Sequence, residues 1–186
     1  MKVIDTRLPG VVIVEPDVFP DSRGLFLESW NKIRYEQAGM AYDWIQDNIS
    51  VSTKGVLRGL HFQNPNAQAK LVQAMEGEIF DVVVDIRIGS PTYGKWESAL
   101  LSSENRRQLA IPGGFAHGFM TLSDRAVVGY KVDDVYVKDS AQSISWNDPD
   151  IGIDWPLKEA RLSEKDAIAP RLKDMPPGAL PLYTGD

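Results

Sequence analysis

A chain of 186 residues, 43% hydrophobic and 25% charged, has the composition of one globular domain over residues 1–186 with a substantial core. Its net charge of −6 argues against nonspecific nucleic-acid binding, which needs a basic face. The absence of cysteine excludes disulfides and thiolate metal sites and suits a reducing cytoplasm.

The first ten residues carry an acid and a proline where a signal peptide needs an apolar run. Residues 11–14 form a short apolar stretch. The turn at 20–24 leads into a strand at 25–30, and residues 31–37 read as two helical turns stopped by Gly39. Residues 46–52 and 56–63 read as strands, joined through Lys54-Gly55. A strand at 70–75 ends in the turn 76–78. Beyond it Phe80, Val82, Val84 and Ile86 alternate with Asp81, Val83, Asp85 and Arg87, a period of two that predicts one buried face. The acids and Arg87 interrupt residues 79–88, the longest apolar-rich run, so no membrane association is expected. Further strands are predicted at 95–101, 107–111, 115–122 and 126–136. Residues 164–168 suggest one helical turn capped by Ser163, and Pro176, Pro177 and Pro181 predict a tail running over the surface. Many short strands and few helices indicate an all-β fold, a sandwich or barrel, with a double-sheet jelly roll the arrangement that best protects strand edges.

The chain has two histidines, each framed by glycine. His61 lies in Leu57-Arg58-Gly59-Leu60-His61-Phe62-Gln63 and His117 in Gly113-Gly114-Phe115-Ala116-His117-Gly118. Both are expected to face one cavity, where an imidazole near neutrality can move protons. In the strand 46–52, Gln46, Asn48, Ser50 and Ser52 share a face, and the amides suit a nucleobase or sugar edge. In an unbulged strand Arg58 and Leu60 face one way and Gly59, His61 and Gln63 the other. Gly59 leaves room for a ligand or a second backbone. Arg23-Gly24 and Arg58-Gly59 offer planar forks for phosphate, with surface ion pairs the plainer alternative. Lys70 opens an apolar strand, either at a cavity rim facing an oxyanion or as a snorkelling edge residue. Tyr130 is either a proton donor or core packing. Asp166 either orients an imidazole or caps a solvated helix start. Pro112-x-Gly114-x-x-His117 is similar to half of a metal-binding cupin motif, but the other half, a His-x-His pair, reads His61-Phe62-Gln63, so no metal is expected.

Taken together these segments resemble a known family. The run from Gln46-Asp47-Asn48-x-Ser50-x-Ser52 through Gly55-Val56-Leu57-Arg58-Gly59-Leu60-His61-Phe62-Gln63 is similar to the core motif of dTDP-4-dehydrorhamnose 3,5-epimerases. In the same order follow or precede it Asp21-x-Arg23-Gly24-x-Phe26-x-Glu28, Gly77-Glu78-x-Phe80-Asp81-Val82, Ser90-Pro91-Thr92-Tyr93-Gly94, Ile111-Pro112-x-Gly114-Phe115-Ala116-His117-Gly118-Phe119, Trp146-x-Asp148-Pro149 and Leu162-Ser163-x-Lys165-Asp166. The resemblance implies a cupin jelly roll, no cofactor and no metal, and a homodimer that exchanges strands. It implies a dTDP-4-keto-6-deoxyhexose substrate inverted at C3 and C5 for rhamnose biosynthesis. It implies His61 as base with Asp166, Tyr130 as acid and Lys70 at the enolate oxygen. Arg23 and Arg58 would engage the diphosphate, Phe26, Glu28, Gln46 and Asn48 the nucleotide, His117 the sugar pocket, and Lys165 the substrate.

The family's Tyr-x-Pro-x-x-Glu reads Tyr136-Val137-Lys138-Asp139-Ser140-Ala141 here. Ala141 removes an acid that contributes to ligand binding in the family, with Asp139 as the candidate to replace it. The alternatives are an epimerase inverting one centre only, a catalytically silent nucleotide-sugar-binding cupin, and a metal-dependent cupin oxygenase.

Overall fold

The structure, a computed structural model, describes residues 1–185. Its strands in chain order are β1 (Lys2–Asp5), β2 (Val12–Glu15), β3 (Val18–Asp21), β4 (Gly24–Leu27), β5 (Gln46–Thr53), β6 (Leu57–Gln63), β7 (Lys70–Glu76), β8 (Glu78–Asp85), β9 (Trp96–Ser102), β10 (Gln108–Ile111), β11 (Phe115–Thr121), β12 (Arg125–Val132) and β13 (Ala141–Ser143). Two short helices, α1 (Lys32–Gln37) and α2 (Glu164–Ala167), and a 3₁₀ turn at Leu172–Asp174 complete it. None is long and apolar enough to cross a membrane.

The strands form two antiparallel sheets, in the orders β1-β2-β10-β7-β12-β5 and β13-β6-β11-β8-β9, with β3-β4 as a separate hairpin. This is the all-β double-sheet jelly roll expected. Val72, Val128 and Leu109 of the first sheet meet Ile79, Val83 and Phe115 of the second in the main core between them. Capping explains the helices: the Asn31 side chain accepts from the Arg34 N–H, and Ser163 accepts from the Asp166 N–H.

Three expectations are corrected. The alternation in β8 predicted one buried face, but Asp81 to Asp85 are buried on both. Val82, Val84 and Ile86 form a second cluster with Ile144, Leu172 and Leu180, because the C-terminal segment packs over the outer side of the second sheet. Accordingly the tail is not wholly superficial: Ala179 and Leu180 are buried. The strand expected over 126–136 ends at Val132, where Asp133 turns its carboxylate onto the Ala69 N–H at 2.7 Å.

The strand β6 is irregular. It pairs His117 with His61 and Phe119 with Arg58, so two residues of β6, Gly59 and Leu60, stand against one of β11, Gly118. The irregularity centres on Gly59, whose φ of +137° is readily adopted only by glycine. A Cβ there would stand 2.5 Å from Gly118 Cα. The space beside His61 is therefore filled by a second backbone, not left for a ligand.

Candidate functional site

A cavity of about 680 Å³ opens between the sheets. The first sheet contributes Gln46, Asn48 and Ser50 from β5, Lys70 from β7 and Tyr130 from β12. Registers align them: Tyr130 pairs with Asn48, and Lys70 with Val132 two residues along. The second sheet contributes Arg58, His61 and Gln63 from β6 and His117 and Phe119 from β11. The segment entering α2 closes one side with Arg161, Ser163, Lys165 and Asp166.

Because of the irregularity at Gly59, Arg58 and His61 both reach the cavity, although they would face opposite ways in a regular strand. Arg58 is tied back by its Nε–H, which donates to Ser52 Oγ at 3.0 Å.

His61 Nε2 lies 2.6 Å from Asp166 Oδ1, with the carboxylate almost fully buried and the imidazole half exposed. Burial works to raise the Asp166 pKa, but the hydrogen bond and charge of His61, with Ser163 and the Gly59 N–H, hold it below the ordinary carboxylate range. An ionised Asp166 fixes the proton on His61 Nε2 and leaves Nδ1 as the basic nitrogen.

His117 forms a second imidazole–carboxylate pair. Its Nε2 lies 2.9 and 3.0 Å from the two oxygens of Asp81, which is inaccessible to solvent. Burial raises the Asp81 pKa against the pull of His117 and Lys70. Lys70 is itself buried, not a snorkelling edge residue, and burial pushes its pKa down to about 8 despite Asp81 and Asp133 nearby. Tyr130 keeps its proton because burial raises its pKa, with Arg58 opposing.

This arrangement sets a buried cation and a phenol on one sheet against an oriented imidazole on the other. Such a cavity can take a proton from one side of a ligand and return it from the other. Among the described residues no group of three or more His, Cys, Asp or Glu is placed to hold a metal ion.

The model of one protein family, the dTDP-4-dehydrorhamnose 3,5-epimerases, matches residues 5–174. The chain belongs to this family. An epimerase of that name from Salmonella typhimurium is 54% identical over 175 residues, covering 92% of this chain and 96% of that one. The crystal structure of a dTDP-6-deoxy-D-glucose-3,5-epimerase from Legionella pneumophila, in complex with dTDP-4-keto-L-rhamnose, superposes with a TM-score of 0.97 at 48% identity over 99% of both chains. A 3′-monoepimerase from Streptomyces bikiniensis, in complex with dTDP-quinovose, superposes with a TM-score of 0.90 at 36% identity, over 96% of this chain and 92% of that one.

Nine of the twelve residues singled out in the sequence line this epimerase fold's cavity: His61, Lys70, Tyr130, Asp166, Gln46, Asn48, Arg58, His117 and Lys165. Arg23, Phe26 and Glu28 do not. They sit on or just after the β3-β4 hairpin, where Arg23 is paired with Asp21 and Phe26 is 68% exposed. Asp139 is exposed and outside the cavity, whereas Ala141 lines it, so Asp139 does not replace the missing acid. Two further polar residues border the site. Asp81 appears in the sequence as an interruption of an apolar run and within a family-like stretch, with no role given to it; an acid inside an apolar strand signals a buried partner, here His117. Ser50 stands on the face the strand pattern predicts and lines the cavity, and its Oγ is buried with no hydrogen-bond partner among the described residues.

Proposed function

We propose that this cavity inverts C3 and C5 of dTDP-4-keto-6-deoxy-D-glucose, giving dTDP-4-keto-L-rhamnose for dTDP-L-rhamnose synthesis. The C4 ketone acidifies the C–H bonds on both neighbouring carbons. His61 Nδ1 removes the proton, and the C–H electron pair moves to form an enolate. Asp166 stabilises the imidazolium that results. The Lys70 ammonium neutralises the enolate oxygen in a desolvated setting, where such stabilisation is largest. Tyr130 then returns a proton from the opposite face, which inverts the carbon. Exchange with solvent resets both groups before the second centre reacts. Each positioned acid or base contributes ~10²–10⁴-fold to rate.

The observation that carries this reading is the placement of the His61–Asp166 pair and Tyr130 on opposite sheets of one cavity. His117 lines the sugar pocket, Gln46 and Asn48 hold the nucleotide, and Arg58 and Lys165 engage the diphosphate. Arg23, Phe26 and Glu28 serve the cavity of a second copy. The exposed apolar hairpin supports this: Phe19 and Phe26 are 57% and 68% exposed and need covering. The enzyme is thus a homodimer exchanging β-strands, and its lack of cysteine fits a cytoplasmic setting.

Purified protein supplied with dTDP-4-keto-6-deoxy-D-glucose, a 4-keto reductase and reduced nicotinamide cofactor should yield dTDP-L-rhamnose. A product that retains the D configuration at C5 would reject double inversion.

A further inference from the structure

The cavity wall carries Arg58, Lys70, Arg161 and Lys165 against a single carboxylate, Asp166, in a protein of net charge −6. That inversion of sign creates a local well for an anion. Arg161 stands out within it, because neither the sequence motifs nor the mechanism above uses it.

Its backbone is fixed. The Arg161 N–H donates to the Gly55 carbonyl at 2.8 Å, its carbonyl accepts from the Leu57 N–H at 3.0 Å, and the residue forms a bridge with Val56. It is thereby docked beside the strand that begins at Leu57 and carries Arg58. Its guanidinium is uncommitted. Arg7, Arg23, Arg34, Arg87, Arg107 and Arg125 each have a carboxylate within ion-pair distance. Arg58 and Arg161, the two arginines that line the cavity, have none among the described residues, and neither do Arg106 and Arg171, which lie outside it. An exposed arginine whose main chain is anchored at the cavity, with its planar fork unpaired, is free to meet a phosphate there.

We infer that Arg161 is a further substrate-binding residue, completing with Arg58 and Lys165 a three-cation clamp on the diphosphate of the nucleotide sugar. With alanine at 141 that lining position adds no carboxylate to oppose the field. The inference rests on the reading of the cavity as a nucleotide-sugar site.

Calorimetric titration of the full-length protein with dTDP, dTMP and thymidine tests it, with Arg161→Gln and Arg161→Lys as variants. Arg161→Gln keeps every main-chain bond. It should weaken dTDP binding about tenfold, as expected for loss of one charge-assisted hydrogen-bonded contact. dTMP should lose less and thymidine nothing. KM for the sugar nucleotide should rise by a similar factor, with kcat changed less, and Arg161→Lys should recover part of the loss. Unchanged dTDP affinity in Arg161→Gln would overturn the inference while leaving the epimerase reading intact. An equal loss for thymidine would also overturn it, since that would mark a general distortion of the site. Failure of the unaltered protein to bind dTDP or turn over the sugar would remove the reading itself, and the inference with it.

Discussion

His61 Nε2 and Asp166 Oδ1 stand 2.6 Å apart, although 105 residues separate them in sequence. Strand β6 supplies the imidazole and the capped turn of α2 supplies the carboxylate, so the pair exists only when the C-terminal segment is docked. Replacing Asp166 by Asn removes the anion that selects the His61 tautomer. Steady-state assays of Asp166→Asn should show kcat reduced by ~10²–10⁴-fold with little change in dTDP affinity. The same pair affects acid stability. Because its folded pKa is lowered, Asp166 contributes stability above the unfolded carboxylate range and loses it as pH falls through the folded value. Asp166→Asn should therefore flatten part of the acid limb of a pH–denaturation profile.

In the proposed mechanism Lys70 sets the alkaline limit. Burial brings its pKa down to about 8, so its cation, and with it the stabilisation of the enolate, is lost as pH rises past that value. A pH profile of kcat should fall with an apparent pKa near 8, and Lys70→Arg, which stays charged, should abolish that limb even at reduced rate. Stability runs the other way. Between about 8 and 10.5 the unfolded chain binds the Lys70 proton and the folded one does not, so Lys70 makes folding more favourable as pH rises across that window.

Asp81 raises the Lys70 pKa against the cost of burial. Asp81→Asn removes that help, so the alkaline limb should move to lower pH, and His117 should lose its anionic partner. A limb that stays in place would show that Asp81 acts only through packing.

How much of this was legible beforehand follows from how local each feature is. The period-two pattern of β5 gave the shared face of Gln46, Asn48 and Ser50, because strand alternation is a local rule. The joint orientation of Arg58 and His61 was not legible, since it depends on an irregularity formed where Gly59 meets Gly118 of another strand. The second buried face of β8 depends on Leu172 and Leu180, about ninety residues away, and no window of sequence around β8 contains them. The resemblance to a family pointed to Arg23, Phe26 and Glu28, but one folded chain leaves them outside its own cavity.

The Gly59–Gly118 contact is a structural pivot. Gly59→Ala would place a Cβ 2.5 Å from Gly118 Cα and force a β-carbon into φ +137°. The variant should lose ~2–4 kcal/mol in chemical denaturation and most of its activity, because β6 and β11 carry His61 and His117. Wild-type stability would mean that the strands separate without cost.

Mixed dimers test the exchange of the hairpin. Arg23→Ala and His61→Ala chains should each be impaired alone. Refolded together, half the dimers are mixed and each has one intact site, so activity should recover to roughly a quarter of wild type. No recovery would place Arg23 outside the partner's cavity.

In the proposed function His61 moves the protons on both carbons beside the ketone. The direct measurement is NMR of dTDP-4-keto-6-deoxy-D-glucose incubated with the enzyme in deuterium oxide. Deuterium should enter at C3 and at C5, and neither position should exchange with His61→Ala. Incorporation at C3 alone, or undiminished exchange in the variant, would contradict the account.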